Sequence, residues 1–465
     1  MTTQIIDAIS NKIQSEIDIM CSTNRVIGAS IGITYDQDLI WNYGFGYAHL
    51  QTGATTDQNT LYRIASITKT FTATAIFQLR DEGYINLDDP LTKYIPEFGT
   101  VDADSNAIKQ VTLRRLLCHH SGLVAEAPAS EPFWSTQKIP SVQQIIENMA
   151  SVKIVVSEDT FFKYSNLGFA LLGEVISRVT GSRYEDYITT QILNPLGMTS
   201  TTFSLDDDLK QKFATGYQSN KYEDSGRPVP DMNLGGYAAA GQLYSSVNDL
   251  SKWASFQFSA YQNNDSKQQI LSNDSLREMH RPRIMDPNWK VGYCLPWIAR
   301  RISDNVIFGH TGFTYGFRAD LSFDMHKKLA VVALLNTVPE LPPITNHIFQ
   351  KFYEFPSNSK IDISITKPVA LTGNQRDILG LYVNDLGLTL RVEYINSTLS
   401  INLAEGTALG FAPGLIQETE MDDVFVACEG RWIGENVVFK RDNNRSVHAL
   451  DLGPFRFTKL IKSKC

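Results

Sequence analysis

Ser66-Ile67-Thr68-Lys69 is the sharpest chemical signal in the chain. On a helix, positions i and i+3 share one face with Cβ atoms ~5–6 Å apart, so a hydroxyl and an amine can meet there. A free hydroxyl is a poor nucleophile. A neighbouring lysine either takes its proton or stays charged and assists another base, and a helix N-terminus favours the negative charge that develops. The same tetrapeptide recurs as Ser364-Ile365-Thr366-Lys367, directly before Pro368. A residue before proline is pushed out of α geometry, so Lys367 is not expected to stack over Ser364.

Tyr164-Ser165-Asn166 lies just before an apolar helical pattern, where its side chains can project into a cleft. Tyr84/Asn86, Tyr261/Asn263, Tyr382/Asn384 and Tyr394/Asn396 share the Tyr-x-Asn spacing and read as turns or strand ends. Gly309-His310-Thr311-Gly312 closes a predicted strand, and its glycines permit close backbone approach to a ligand. A lone histidine there more often serves structure than catalysis. His119 and His120 read as structural, one exposed and one bonded to backbone. Phe133 and Trp134 read equally well as a lid or a loop anchor, Tyr237 as a pocket wall, and Cys118 and Cys294 as core fillers.

The elements that must position these residues are legible from periodicity. Ile5, Ile6, Ile9, Ile13 and Ile17 predict an amphipathic N-terminal helix, and Val26–Tyr35 with Leu39–Phe45 predict a hairpin. Phe71, Ala75, Ile76 and Leu79 predict a helix from Ser66 that stops at Gly83. Further helices are expected at about Leu167–Gly181, Tyr184–Ile192, Val247–Phe258 and Ile344–Tyr353. Strands are expected at Val306–Phe308, Phe317–Phe323 and Leu329–Leu335. Strands at both ends with helices between them imply a sheet interrupted by a helical lobe.

A chain of 465 residues exceeds what one core usually supports, so at least two are expected. Residues 1–355 are assigned to the domain carrying the motifs, 356–375 to a linker, and 376–465 to a small all-β barrel of short strands separated by Gly, Asn and Asp. The formal net charge of −8, without a Lys/Arg run, argues against nucleic acid. The five scattered cysteines fit neither a disulfide scaffold nor a zinc spacing, so no metal is expected. The absence of a signal-like or membrane-spanning apolar run points to a cytoplasmic chain with no membrane partner.

In order and in flanking text, these motifs resemble the serine β-lactamase and penicillin-binding-protein superfamily, in its class C-related branch. That branch includes D-aminopeptidases, D-alanyl-D-alanine carboxypeptidases and family VIII esterases. The flanking resemblance lies in Leu61–Ala65, Leu116–Leu123, Asn194–Met198 and Ala240–Ser246, within about residues 10–350. The tail resembles the lipocalin-like domain of some of these peptidases.

The resemblance implies an α/β (α+β) β-lactamase/transpeptidase-like fold, with an antiparallel sheet flanked by helices, followed by the small barrel. It implies Ser66 as acylated nucleophile, Lys69 as its partner, and Tyr164 as general base or proton relay. Asn166 would bond Lys69 and the substrate amide, and the N–H groups of Ser66 and Phe313 would form the oxyanion hole beside His310, Thr311 and Gly312. His310 stands where β-lactamases carry lysine, which disfavours substrates held by a carboxylate. The expectation is a cofactor-free serine hydrolase for small or D-amino-acid-containing peptides. A carboxylesterase and a non-turnover penicillin-binding or scaffold protein are the alternatives. A small-molecule, peptide or ester is the expected substrate partner, with homo-oligomer formation through the C-terminal domain.

Overall fold

The computed structural model describes residues 2–128, 136–218, 226–261, 270–339, 341–354, 377–384, 389–395, 398–403, 414–428, 432–453 and 455–460. Its largest element is an antiparallel sheet. From one edge to the other, its strands are Ala54–Thr55, Asp38–His49, Gly28–Tyr35, Leu329–Leu335, Phe317–Asp324, Asn305–Thr314, Ile298–Ile302, Val291–Tyr293 and Ile284–Met285. The N-terminal strand pairs with the one more than 290 residues later, Ala29 opposite Leu335 through Tyr35 opposite Leu329. The sheet is therefore closed at its centre by the two ends of the segment, and the helical lobe is the excursion between them.

Period-two alternation decides which residues face which layer. Ala29, Ile31, Ile33, Leu329, Val331, Ala333 and Leu335 point to one face. They are covered by the helices Thr2–Thr23, through Ile13, Ile17 and Cys21, and Ile344–Glu354, through Ile344, Ile348 and Phe349. Ala330, Val332 and Leu334 point to the opposite face, into the larger core shared with the helices Thr68–Asp81, Asn166–Thr180 and Val247–Phe258.

Most expected elements are present, with shifted ends. The segment after Ile188 completes its last turn as a π-helix, Thr189–Leu193. The three edge strands from Ile284 to Ile302 had no clear sequence signal, because two are very short and the third, Ile298-Ala299-Arg300-Arg301-Ile302, carries paired arginines. The His310 motif lies inside a ten-residue strand rather than at the end of one: pairing with Phe317–Asp324 continues to Thr314 opposite Phe317, and Gly316 at φ +64° turns the chain.

Residues 377–460 contain a closed barrel of eight described strands in sequential order, sealed by Tyr382 opposite Lys459 and Val383 opposite Thr458. Its interior holds Tyr382, Val392, Phe425, Val437, Phe439, Leu450 and Phe457. Two of its strands, Gly380–Val383 and Gly414–Glu418, were not expected from sequence. The expected linker, the second Ser-x-x-Lys copy, Phe133 and Trp134 lie outside the described residues.

Candidate active site

The nucleophile candidate sits on a 3-10 turn, Ala65–Ile67, that runs directly into the helix Thr68–Asp81. Ala65 has φ +43°, a conformation that costs about 1–3 kcal/mol for a residue with a Cβ. The Ile64 N–H donates to the Leu243 carbonyl 3.0 Å away and fixes the chain just before the strained residue. The turn leaves Ser66 half-buried while Lys69 is wholly inaccessible to solvent.

Lys69 Nζ donates to three oxygens: Ser66 Oγ at 3.0 Å, Asn166 Oδ1 at 2.8 Å and the Ala240 carbonyl at 2.7 Å. An ammonium has three hydrogens, and this arrangement directs one at each acceptor. Tyr164 Oη also donates to Ser66 Oγ, at 2.8 Å. Lys69 Nζ stands 5.0 Å from the centre of the Tyr164 ring. Four residues expected from the first two motifs therefore form one hydrogen-bonded cluster.

Ser165 caps the Asn166–Thr180 helix by accepting from the Gly168 N–H, and its own backbone is extended. This break between extended and helical backbone puts Tyr164 and Asn166 on the same side of the chain. Asn166 is oriented at both ends of its amide: Oδ1 receives Lys69, and Nδ2 donates to Glu126 Oε1 at 2.6 Å.

The His310 strand passes against the nucleophile turn. A Cβ on Gly312 would lie 2.1 Å from the Ile64 carbonyl oxygen and 3.1 Å from the Ser66 nitrogen, so only glycine permits this approach. Phe313 follows, half-buried, with the Arg318 guanidinium 5.3 Å from its ring centre. Among the described residues no hydrogen bond joins Thr311 or Phe313 to Ser66. His310 is buried, its Nδ1–H donating to the Thr311 carbonyl at 2.7 Å. Burial, and then the charge of Lys69, push His310 down to about 3. It is a neutral imidazole at physiological pH.

Several side chains were missed or misread from sequence. Glu126, a buried acid in the apolar run Leu123-Val124-Ala125-Glu126-Ala127, was not singled out, although a lone carboxylate in such a run is itself a signal. His119 and His120 are both buried, which corrects the expectation that one is exposed. His119 has φ +59°, stacks on Tyr164 with ring centres 4.2 Å apart, and accepts from the Ser165 N–H at Nδ1, 3.1 Å away. His120 Nδ1–H donates to the Cys118 carbonyl at 2.7 Å. Tyr237 is fully buried and receives the Ala127 N–H at 2.7 Å, so it supports the Glu126 segment. Cys118 and Cys294 are buried thiols, as expected, and burial pushes Cys118 up to about 12.

A long helix with a Ser-Lys pair at its start, a Tyr-x-Asn turn facing it, and an antiparallel strand sealing the third side make up the arrangement expected of the β-lactamase and penicillin-binding-protein superfamily. Residues 7–349 match the Beta-lactamase family model, and the chain belongs to that family. It is 34% identical over 257 residues to Beta-lactamase-like protein 2 of Dictyostelium discoideum, covering 54% of this chain and 44% of that protein. It is 28% identical over 348 residues to Protein flp of Staphylococcus aureus, covering 73% of this chain and 66% of that protein. The chain thus spans less than two thirds of the length of these curated relatives.

Among solved structures, the octameric penicillin-binding protein homologue from Pyrococcus abyssi is similar over 97% of this chain and 100% of its own, with 25% identity and a TM-score of 0.65. A class C β-lactamase from Rhodobacter sphaeroides shares the fold over 74% of this chain and 99% of its own, at 20% identity and a TM-score of 0.62. Among the described residues no helix is long and apolar enough to cross a membrane.

Proposed function

We propose that the chain cleaves amides through an acyl-enzyme on Ser66, acting on small or D-amino-acid-containing peptides read from their amino end. The observation that carries this reading is the Ser66 oxygen held between Lys69 Nζ at 3.0 Å and Tyr164 Oη at 2.8 Å. Lys69 has its three hydrogens directed at acceptors; once Tyr164 has released its own hydroxyl proton to solvent, its phenolate oxygen reverses the hydrogen bond to Ser66 and takes the Ser66 proton. The adjacent ammonium favours the negative charge on that oxygen. Ser66 Oγ then bonds to the substrate carbonyl carbon, the Ser66 and Phe313 N–H groups receive the oxyanion, and Tyr164 returns the proton to the departing amine. Water attacks the acyl-enzyme by the same route and frees Ser66.

Substrate polarity follows from two side chains. A neutral His310 offers no fixed cation to a substrate carboxylate, and the Glu126 acid, which accepts from Asn166, is an acidic group beside the site that suits a substrate ammonium. The division at 356–375 and assembly through the barrel belong to the same proposal; that the Pyrococcus abyssi homologue is octameric supports self-assembly as such. A chain ending near Thr366 should then lose its assembly in light scattering.

The deciding experiment is intact-mass spectrometry after incubation with a fluorophosphonate, wild type beside Ser66→Ala. One adduct on the wild type and none on the variant is expected, and equal labelling of the two would remove Ser66 as nucleophile. Amino-acid p-nitroanilides in both enantiomers, compared with a short-chain p-nitrophenyl ester, then test the substrate. Turnover of the ester alone would make the protein an esterase.

A further inference from the structure

Among the described residues, Glu435 carries the barrel's hydrogen bonds to the segments around the catalytic cluster. Glu435 lies just before the barrel strand Asn436–Arg441, in a turn held by the Gly434 N–H to the Ala427 carbonyl at 2.8 Å and the Glu435 N–H to the Trp432 carbonyl at 2.8 Å. The turn lies flat on the other domain: a Cβ on Gly434, where φ is +77°, would stand 2.7 Å from the Val155 carbonyl oxygen. Phe455 of the barrel also packs against the larger core.

Glu435 Oε1 accepts from the Lys163 ammonium and from the Ala125 backbone N–H, the latter at 3.1 Å. Both donors sit one covalent step from the site. Lys163 precedes Tyr164, and its own N–H is tied to the His119 carbonyl at 2.8 Å. Ala125 precedes Glu126, and its carbonyl receives the Asn166 and Leu167 N–H groups at 2.8 and 3.1 Å. A single carboxylate from the C-terminal domain thus joins the two segments that hold the Tyr164 and Asn166 side chains.

Lys163 is wholly inaccessible and Glu435 nearly so. Docking of the barrel brings a counter-charge to this buried ammonium, which couples the two. We propose that Glu435 is a positioning residue: the barrel sets the Tyr164–Asn166 segment for attack by Ser66 through the Glu435–Lys163 and Glu435–Ala125 contacts. This rests on the acyl-enzyme reading above. The barrel is then part of the acylation machinery although none of its atoms needs to touch the substrate.

The test uses the full chain and a fluorophosphonate, and separates the maximal rate of labelling, kinact, from the half-saturating concentration, KI. Glu435→Gln keeps an acceptor for Ala125 but removes the charge. Displacements of the order of an ångström cost up to about a hundredfold in rate, so kinact should fall at least about tenfold while KI stays within about twofold. Glu435→Asp, with its charge one methylene short of both donors, should give an intermediate kinact and serves alone if Glu435→Gln fails to fold. Phe439→Leu perturbs the barrel interior away from the turn and should label at the wild-type rate. Wild-type kinact in both Glu435 variants overturns the proposal, as does an equal loss in Phe439→Leu, which would reduce the barrel to general support. A wild type that does not label at all removes the acyl-enzyme reading and this proposal with it, whereas a labelled wild type with unaffected Glu435 variants removes only this one.

Discussion

Among the described residues, two lysines are fully buried, and they are buried differently. Lys69 donates to three neutral acceptors: a serine hydroxyl, an asparagine amide oxygen and a backbone carbonyl. Lys163 meets a carboxylate from the other domain. A cation solvated by neutral dipoles keeps its field available for negative charge that appears during a reaction, whereas a cation paired with a carboxylate has most of its field cancelled. The contrast separates a charge placed for chemistry from one placed to hold position, although Lys163 precedes Tyr164 in the chain and Lys69 shares the Ser66 oxygen with it.

The strongest way to break this comparison is to remove each amine in turn. Lys69→Met should lower fluorophosphonate labelling and hydrolysis by about a thousandfold or more, because Ser66 and Tyr164 lose the cation that both contact. Far-ultraviolet circular dichroism should remain native. Retention of a tenth of the wild-type rate would mean that the Lys69 field is not what activates Ser66. Next in size is Gly312→Ala. Its methyl would be driven against the Ile64 carbonyl, so the strand must shift from the nucleophile turn, and a loss of about a hundredfold in labelling is expected with the fold intact.

Lys163→Met should act first on stability. It leaves Glu435 buried without its cation, a loss of roughly 3–5 kcal/mol in urea unfolding of the interface. Adding Glu435→Leu should recover most of that loss, since two apolar side chains replace a buried ion pair nearly neutrally. If the double variant were as unstable as the sum of the single ones, the pair would not be the coupled unit that the geometry describes.

How far sequence carried this picture follows the same division. The Ser66–Lys69 and Tyr164–Asn166 pairs were legible because each is local: i and i+3 on a helix start, i and i+2 across a cap. The hairpin, the nucleophile helix and the central strands were legible because period two and period 3.6 are set by a continuous apolar layer. Glu126, His119 and the Glu435–Lys163 contact were not, because their meaning comes from neighbours 40 to more than 270 positions away. The short edge strands Ile284–Met285 and Val291–Tyr293 are too brief to show a period, and Ile298–Ile302 carries a half-buried Arg300 with its Nη2 on Ser322 Oγ at 2.7 Å. The barrel was readable as a class because its turns are rich in Gly, Asn and Asp, while two of its strands were not, since Gly380 and Gly414 open them with residues that ordinarily signal a break.

The smallest expected effect concerns the histidines, which distinguish the two lysine sites by what they do not do. His280 is buried with Nε2–H donating to Gln257 Oε1 at 3.1 Å, and burial pushes it down to about 3, as burial and Lys69 do for His310. Unfolding returns both to the ordinary value of ~6.5. Between these values the unfolded chain binds more protons than the folded one, so stability is fully present above pH 6.5 and is lost as pH falls toward 3. Between pH 7.5 and 5.5 each histidine removes about 1.4 kcal/mol of unfolding free energy. His280→Phe, in a pocket of Gln257, Trp297, Phe308 and Phe323, should remove one such share and flatten the urea-midpoint profile over that interval without changing labelling. Because His310 stays neutral in the folded protein throughout, labelling of the wild type should show no transition near pH 6.5 belonging to it. A transition there that disappears in His310→Asn would mean that the imidazole gains a proton in the folded site, and the charge beside Lys69 would then be pH-dependent rather than fixed.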